Sequence, residues 1–189
     1  MKQHIAFSIF TLLILAGSLS VSSCQRKGTQ TSDTSVSTAT TSVNQQIQSE
    51  KGAPMLVGKI NRAGLQSEPF GTWFKEGYQN YTVDAATLQT VKDKLKDTEV
   101  LVFMGTWCSD SKREVPHFYK ILDNVGYSEK KLQVVAVDNQ KQTPDQAEKI
   151  WKIEYVPTII LLKEGKEIGR IVETPQETLE KDLSKILSN

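Results

Sequence analysis

The spacing of apolar residues along this 189-residue chain changes several times, and each change marks an element. Leu88, Val91 and Leu95 fall on one face of a helix that Asp84 can N-cap and that runs to about Lys96. Val100 to Met104 is a continuous apolar run, the pattern of a buried strand. Ser109 to about Asn124 returns to helical spacing, with Val115, Phe118, Leu122 and Val125 facing inward and Pro116 expected to kink it. Leu132 to Val137 is a second apolar strand. Thr143-Pro144-Asp145-Gln146 has the form of a capping box opening a helix to about Trp151. Thr158 to Leu162 and Glu167 to Val172 are two further strands joined at Glu164-Gly165. A second capping box, Thr174 to Glu177, precedes a last helix striped by Leu179, Leu183 and Ile186. The early crossovers imply parallel strands and the late hairpin an antiparallel pair. The predicted class is α/β, with a central mixed sheet of about four strands flanked by helices.

Upstream the pattern weakens. Residues 53–83 form an N-terminal extension in which Phe70, Phe74, Tyr78 and Tyr81 recur at helical spacing, while Gly71 and Gly77 oppose a helix. These aromatics are expected to pack the extension onto the domain. Residues 24–52 are rich in Ser, Thr and Gln and poor in large apolar residues, so they read as a disordered tether. Residues 1–23 read as an export signal: Lys2 is followed by a short apolar stretch from Ile5 to Ala16, too short to span a bilayer. Val21-Ser22-Ser23-Cys24 then resembles a bacterial lipobox. That resemblance implies cleavage before Cys24, its lipidation, and a lipid-anchored protein of the cell envelope facing the periplasm. An ordinary signal peptide would instead leave Cys24 on a tail or paired with Cys108.

Composition narrows the chemistry. The 23 basic and 22 acidic residues leave a formal net charge of +1, with no basic patch that would fit nucleic acid. Two cysteines cannot support a disulfide-rich scaffold. No clustered ligands imply a metal and no glycine-rich loop a phosphate, so neither metal nor organic cofactor is expected. Past the signal, His117 is the only histidine. It lies about 13 Å along the helix from Cys108, which argues against a Cys–His site.

Trp107-Cys108-Ser109-Asp110-Ser111 carries the chemistry. A cysteine at a strand-to-helix turn sits where the helix dipole and free N–H groups favour a thiolate, the nucleophile of thiol–disulfide exchange. A neighbouring Asp110 carboxylate opposes this, and Lys112 and Arg113 can offset Asp110. Ser111 is a hydroxyl that can donate to a thiolate or simply be solvated at the first helical turn. It cannot attack a mixed disulfide.

The element order, W-C-x-x-S after the first core strand and Val156-Pro157-Thr158 entering a later one together resemble the thioredoxin superfamily over roughly residues 84–189. The resemblance implies a thioredoxin-like fold, Cys108 as nucleophile, Ser111 in place of the resolving cysteine, and Trp107 covering the site. It also implies a cis peptide bond before Pro157, with Val156, Pro157 and Thr158 holding a substrate strand. Val102 and Val134 stand where many relatives carry a buried acid and its lysine partner. A protein without a resolving thiol has no need of that pair. The expectation is a monothiol thiol–disulfide oxidoreductase acting on exported protein disulfides or oxidised cysteines, released by an external thiol. A redox-inactive binding module or an accessory subunit of an envelope complex is the alternative.

Overall fold

A computed structural model describes residues 42–188, and its first strand comes from the stretch expected to be tether. β1 (Gln45–Gln48) pairs antiparallel with β2 (Pro54–Ile60), with Gln45 opposite Val57. Residues 45–48 are therefore ordered sheet, a correction to the tether boundary. The signal segment and Cys24 lie outside the described residues. β1 is an edge strand of sequence QQIQ with no buried residue, so it carries no apolar signal.

Two helices complete the extension: α1 (Arg62–Gln66) and α2 (Gly71–Asn80). The helical spacing of the aromatics holds there, because Phe70 and Phe74 are both buried in the main core. Gly77 weakens α2 intrinsically but fits its surroundings. A Cβ at that position would stand 3.1 Å from the ring of Pro116, so glycine lets α2 close onto the next long helix.

The remaining elements follow the predicted order. α3 (Ala85–Lys96) is capped by Asp84, whose carboxylate accepts from Thr87 N–H at 3.1 Å. Next come β3 (Glu99–Met104), α4 (Ser109–Val125), β4 (Leu132–Ala136), α5 (Ala147–Ile150), β5 (Thr158–Lys163), β6 (Lys166–Val172) and α6 (Leu179–Ser188). Both expected capping boxes are displaced. Gln146 adopts φ +57 and α5 starts after it, while Thr143 takes its carboxylate partner from Glu148, at 2.6 Å. Likewise Thr178, not Thr174, accepts from the Lys181 N–H at the start of α6.

The sheet has six strands in the order β1-β2-β4-β3-β5-β6. β3 to β6 are the four expected strands, and the extension adds two. β3 and β4 are parallel, and the other pairs are antiparallel. Alternation along the central strands buries both faces. Val100, Val102 and Met104 join the core beneath the helices, whereas Leu101 and Phe103 join a smaller cluster with Val156, Trp107 and Cys108. The site thus grows out of the second face.

α4 positions the site, and the extension buttresses α4. The Tyr81 and His117 rings stack at 4.2 Å, and the Tyr81 hydroxyl donates to buried Glu180 at 2.8 Å. Burial, reinforced by the nearby Arg113 charge, holds His117 below its ordinary value, with Glu180 opposing. The folded state therefore takes up this proton less readily than the unfolded chain. The stability contribution of neutral His117 is full above about pH 6.5, the unfolded value, and falls as pH drops below it. Urea melts from pH 7.5 to 5.5 should show that decline, above the range where carboxylates titrate, and His117→Gln should flatten it. A parent protein equally stable across that range would contradict the assignment.

Candidate functional site

β3 ends at Met104, and the chain crosses Gly105-Thr106-Trp107 to reach Cys108, the N-cap residue of α4. Gly105 is required because the Trp107 indole lies over it, and a Cβ there would stand 2.7 Å from the ring. The indole N–H donates to the Val137 carbonyl at 3.1 Å, anchoring the ring against the end of β4. Trp107 and Cys108 are both partly exposed.

The Cys108 thiol donates to the Val156 carbonyl at 3.2 Å. The Val156–Pro157 bond is cis, as the resemblance implies. Val156, Pro157 and Thr158 are buried, and the Thr158 hydroxyl donates to the Tyr155 carbonyl at 2.7 Å, bracing the turn that faces the sulfur. Trp107, Cys108, Val156, Pro157 and Thr158 therefore meet in one place.

Ser111 behaves differently from either expectation. It is fully buried, and its hydroxyl accepts from the Gly105 N–H at 3.1 Å rather than bonding the Cys108 sulfur. It staples the first turn of α4 to the loop leaving β3. Val102 and Val134 are direct register partners across β3 and β4, and both are buried. The region behind the site is correspondingly apolar. Asp110 is paired with Arg113 at 2.8 Å, so the basic neighbour expected to offset it does so. Arg113 also holds buried Glu114, at 2.7 Å. His117 is a packing residue on the Tyr81 ring, and Asp138 forms a turn by accepting from the Gln140 and Gln142 N–H groups, each at 2.9 Å.

Three features of the site were not anticipated from the sequence: the Gly105 N–H as the partner of Ser111, exposed Tyr155 beside the turn, and Glu173, whose N–H donates to the Pro157 carbonyl at 2.7 Å. The glycine before Trp107 is a visible signal for the first. Glu173 reaches the site through its contact with the Pro157 turn and Tyr155 lies beside Lys141, far from it in sequence, so neither leaves a local trace.

A mixed sheet with a nucleophile-bearing helix after a central strand, facing a cis-proline turn, defines a thioredoxin-like α/β protein. The family model described as Thioredoxin matches residues 80–185, and the chain belongs to the thioredoxin family. Among its relatives, Thioredoxin H2-2 of Oryza sativa is 28% identical over 90 residues, 48% of this chain and 63% of the relative's length. Mitochondrial Thioredoxin-3 of Saccharomyces cerevisiae is 28% identical over 115 residues, 60% of this chain and 85% of the relative. A crystal structure of a protein of unknown function from Pseudomonas aeruginosa aligns with a TM-score of 0.51 at 15% identity, covering 69% of this chain and 90% of that one, a likeness of fold.

Proposed function

We propose that this protein is an envelope thiol–disulfide oxidoreductase that works with one cysteine. The carrying observation is the placement of Cys108: partly exposed, at the start of the 17-residue α4, with its thiol against the Val156 carbonyl. Exchange begins when the Cys108 thiolate attacks a partner disulfide. A bond forms from Sγ to one partner sulfur, the partner S–S bond breaks, and the leaving thiolate takes up the proton that Cys108 released. Loss of that proton also removes the donor that occupies the Val156 carbonyl. The carbonyl then becomes available to an N–H of an extended substrate segment. Buried Ser111, engaged with Gly105, supplies no second sulfur, so release comes from an external thiol attacking the mixed disulfide. Lipidated Cys24 would tether the domain at the membrane, where exported proteins emerge.

The test is trapping in cells. Membrane fractions quenched with acid and alkylated should contain dithiothreitol-sensitive adducts of the parent protein, absent from Cys108→Ser. The first peptide of the isolated protein should carry acyl mass on Cys24. A parent protein whose Cys108 alkylates freely yet forms no adducts would favour a binding module that has lost turnover.

A further inference from the structure

The Pro157 turn is held from both sides, and the two sides differ in charge. Upstream, the Lys141 ammonium donates to the Glu154 carbonyl at 2.6 Å and stands 4.9 Å from the Tyr155 ring centroid. The upstream side of the turn therefore carries a cation, bonded to backbone. Downstream, the Glu173 N–H bonds the Pro157 carbonyl at 2.7 Å, and the Thr174 N–H folds back onto the Val172 carbonyl at 2.7 Å. These contacts set Glu173 at φ +57, the left-handed region that favours glycine. Glu164 adopts φ +52, but it does so in the tight Glu164-Gly165 hairpin between β5 and β6. No hairpin accounts for Glu173; Lys141, Gln146 and Lys152 are left-handed too, but only Glu173 bonds the Pro157 carbonyl. Glycine would meet the backbone demand more easily, yet an exposed carboxylate stands there. Among the described residues no salt bridge engages it, whereas Asp110, two residues after Cys108, is paired with Arg113. A left-handed residue held on the turn that meets the Cys108 sulfur points to a role for its side chain.

We propose that Glu173 is a specificity-determining residue that favours cysteine-containing segments with a basic residue next to the reacting sulfur. The inference rests on Cys108 being an exchanging thiol. A substrate strand paired with Val156 would lie along the Pro157 turn beside Cys108, and because the Glu173 N–H is bonded to that turn, side chains flanking the reacting cysteine would approach Glu173. A lysine or arginine there meets an uncommitted carboxylate, and an acidic residue is repelled. Such rim charges act mainly on the rate of productive encounter, and salt screens them.

Two blocked peptides test this, identical except for lysine or glutamate on either side of one cysteine held as a disulfide with 2-mercaptoethanol. The Cys108 thiolate attacks the peptide sulfur, the mixed disulfide forms, and 2-mercaptoethanol leaves as a thiolate that takes a proton from water. The full-length protein in neutral detergent should form the adduct about fivefold faster with the lysine peptide at low ionic strength. Half-molar salt should shrink that preference. Both Glu173→Gln and Glu173→Gly should bring the two rates within about twofold of each other. Glycine accepts the left-handed backbone, so loss of preference in both variants assigns the effect to the carboxylate. A preference that survives in both variants, or a parent without one, overturns the inference while leaving exchange at Cys108 intact. If neither peptide forms an adduct, the exchange reading itself falls and takes the inference with it.

Discussion

Ser111→Cys should turn a site that holds its mixed disulfides into one that releases them unaided. Position 111 lies three residues beyond Cys108 in the first turn of α4, the spacing at which the wider superfamily closes its disulfide. A cysteine there would place a second sulfur within the same turn, making release of the partner intramolecular. Even a modest effective concentration should accelerate release in the absence of added thiol by about two orders of magnitude. Stability should suffer slightly. The native hydroxyl accepts from the Gly105 N–H at 3.1 Å inside a fully buried setting, and a thiol is a weak acceptor. Losing most of that bond costs about 1 kcal/mol, small beside the stability of a domain. The new thiol would still lack a buried acid–base partner, because Val102 and Val134 pair directly behind the site. Its release rate should therefore rise with pH rather than plateau near neutrality. The measurement is loss of a labelled peptide from the Cys108 adduct, with the oxidised product mapped by mass spectrometry. Failure of residues 108 and 111 to join would show that the α4 start does not permit pairing.

The parts of this architecture that were legible share one property: their signal is local. Val100 to Met104 and Leu132 to Val137 are apolar because both sheet faces are buried, and they were placed to within a residue. Asp84 is followed by a Thr87 N–H that its carboxylate reaches, so the start of α3 was visible too. Cys108 and its turn were readable for the same reason. What escaped depends on partners distant in sequence. β1 is polar because it is an edge, and only its pairing with β2 makes it a strand. Thr143 has Gln146 at the capping-box spacing, but Glu148 is the residue that reaches it. At the start of α6, Asp182 accepts from the Gln176 N–H at 2.6 Å, which holds the Thr174 segment outside the helix. Ser111 was identified as a hydroxyl near a thiol, yet its bond goes to Gly105, because the bend of the loop leaving β3 sets where that N–H points.

Phe74→Ala should be the most damaging substitution in the extension, lowering stability by about 3–4 kcal/mol. The ring is 2% exposed and meets Tyr119 of α4 edge-on at 5.4 Å, with Trp73 and Tyr78 on its flanks. Truncation would leave a cavity between α2 and α4 that cannot collapse without moving Gly77 off Pro116. The polar links that Arg62 of α1 makes to the rest of the domain are weaker. Arg62 binds Asp123 at 2.6 Å and also Glu129, but both acids are well exposed, and such pairs contribute about 0–1 kcal/mol each. Asp123→Asn should therefore cost far less than Phe74→Ala, and high salt should not reproduce the Phe74 effect. The same reasoning extends to β2, whose Gly58 to Ile60 pair with Val134 to Ala136 of β4. A chain shortened to residues 84–189 would expose that β4 edge together with the faces that Leu56, Phe70 and Phe74 cover, and it should not fold stably. Urea unfolding of the two point variants, read by far-ultraviolet circular dichroism, decides the matter. A Phe74→Ala cost below about 1 kcal/mol would mean that the extension is only loosely docked, and that α4 and Cys108 hold their places without it.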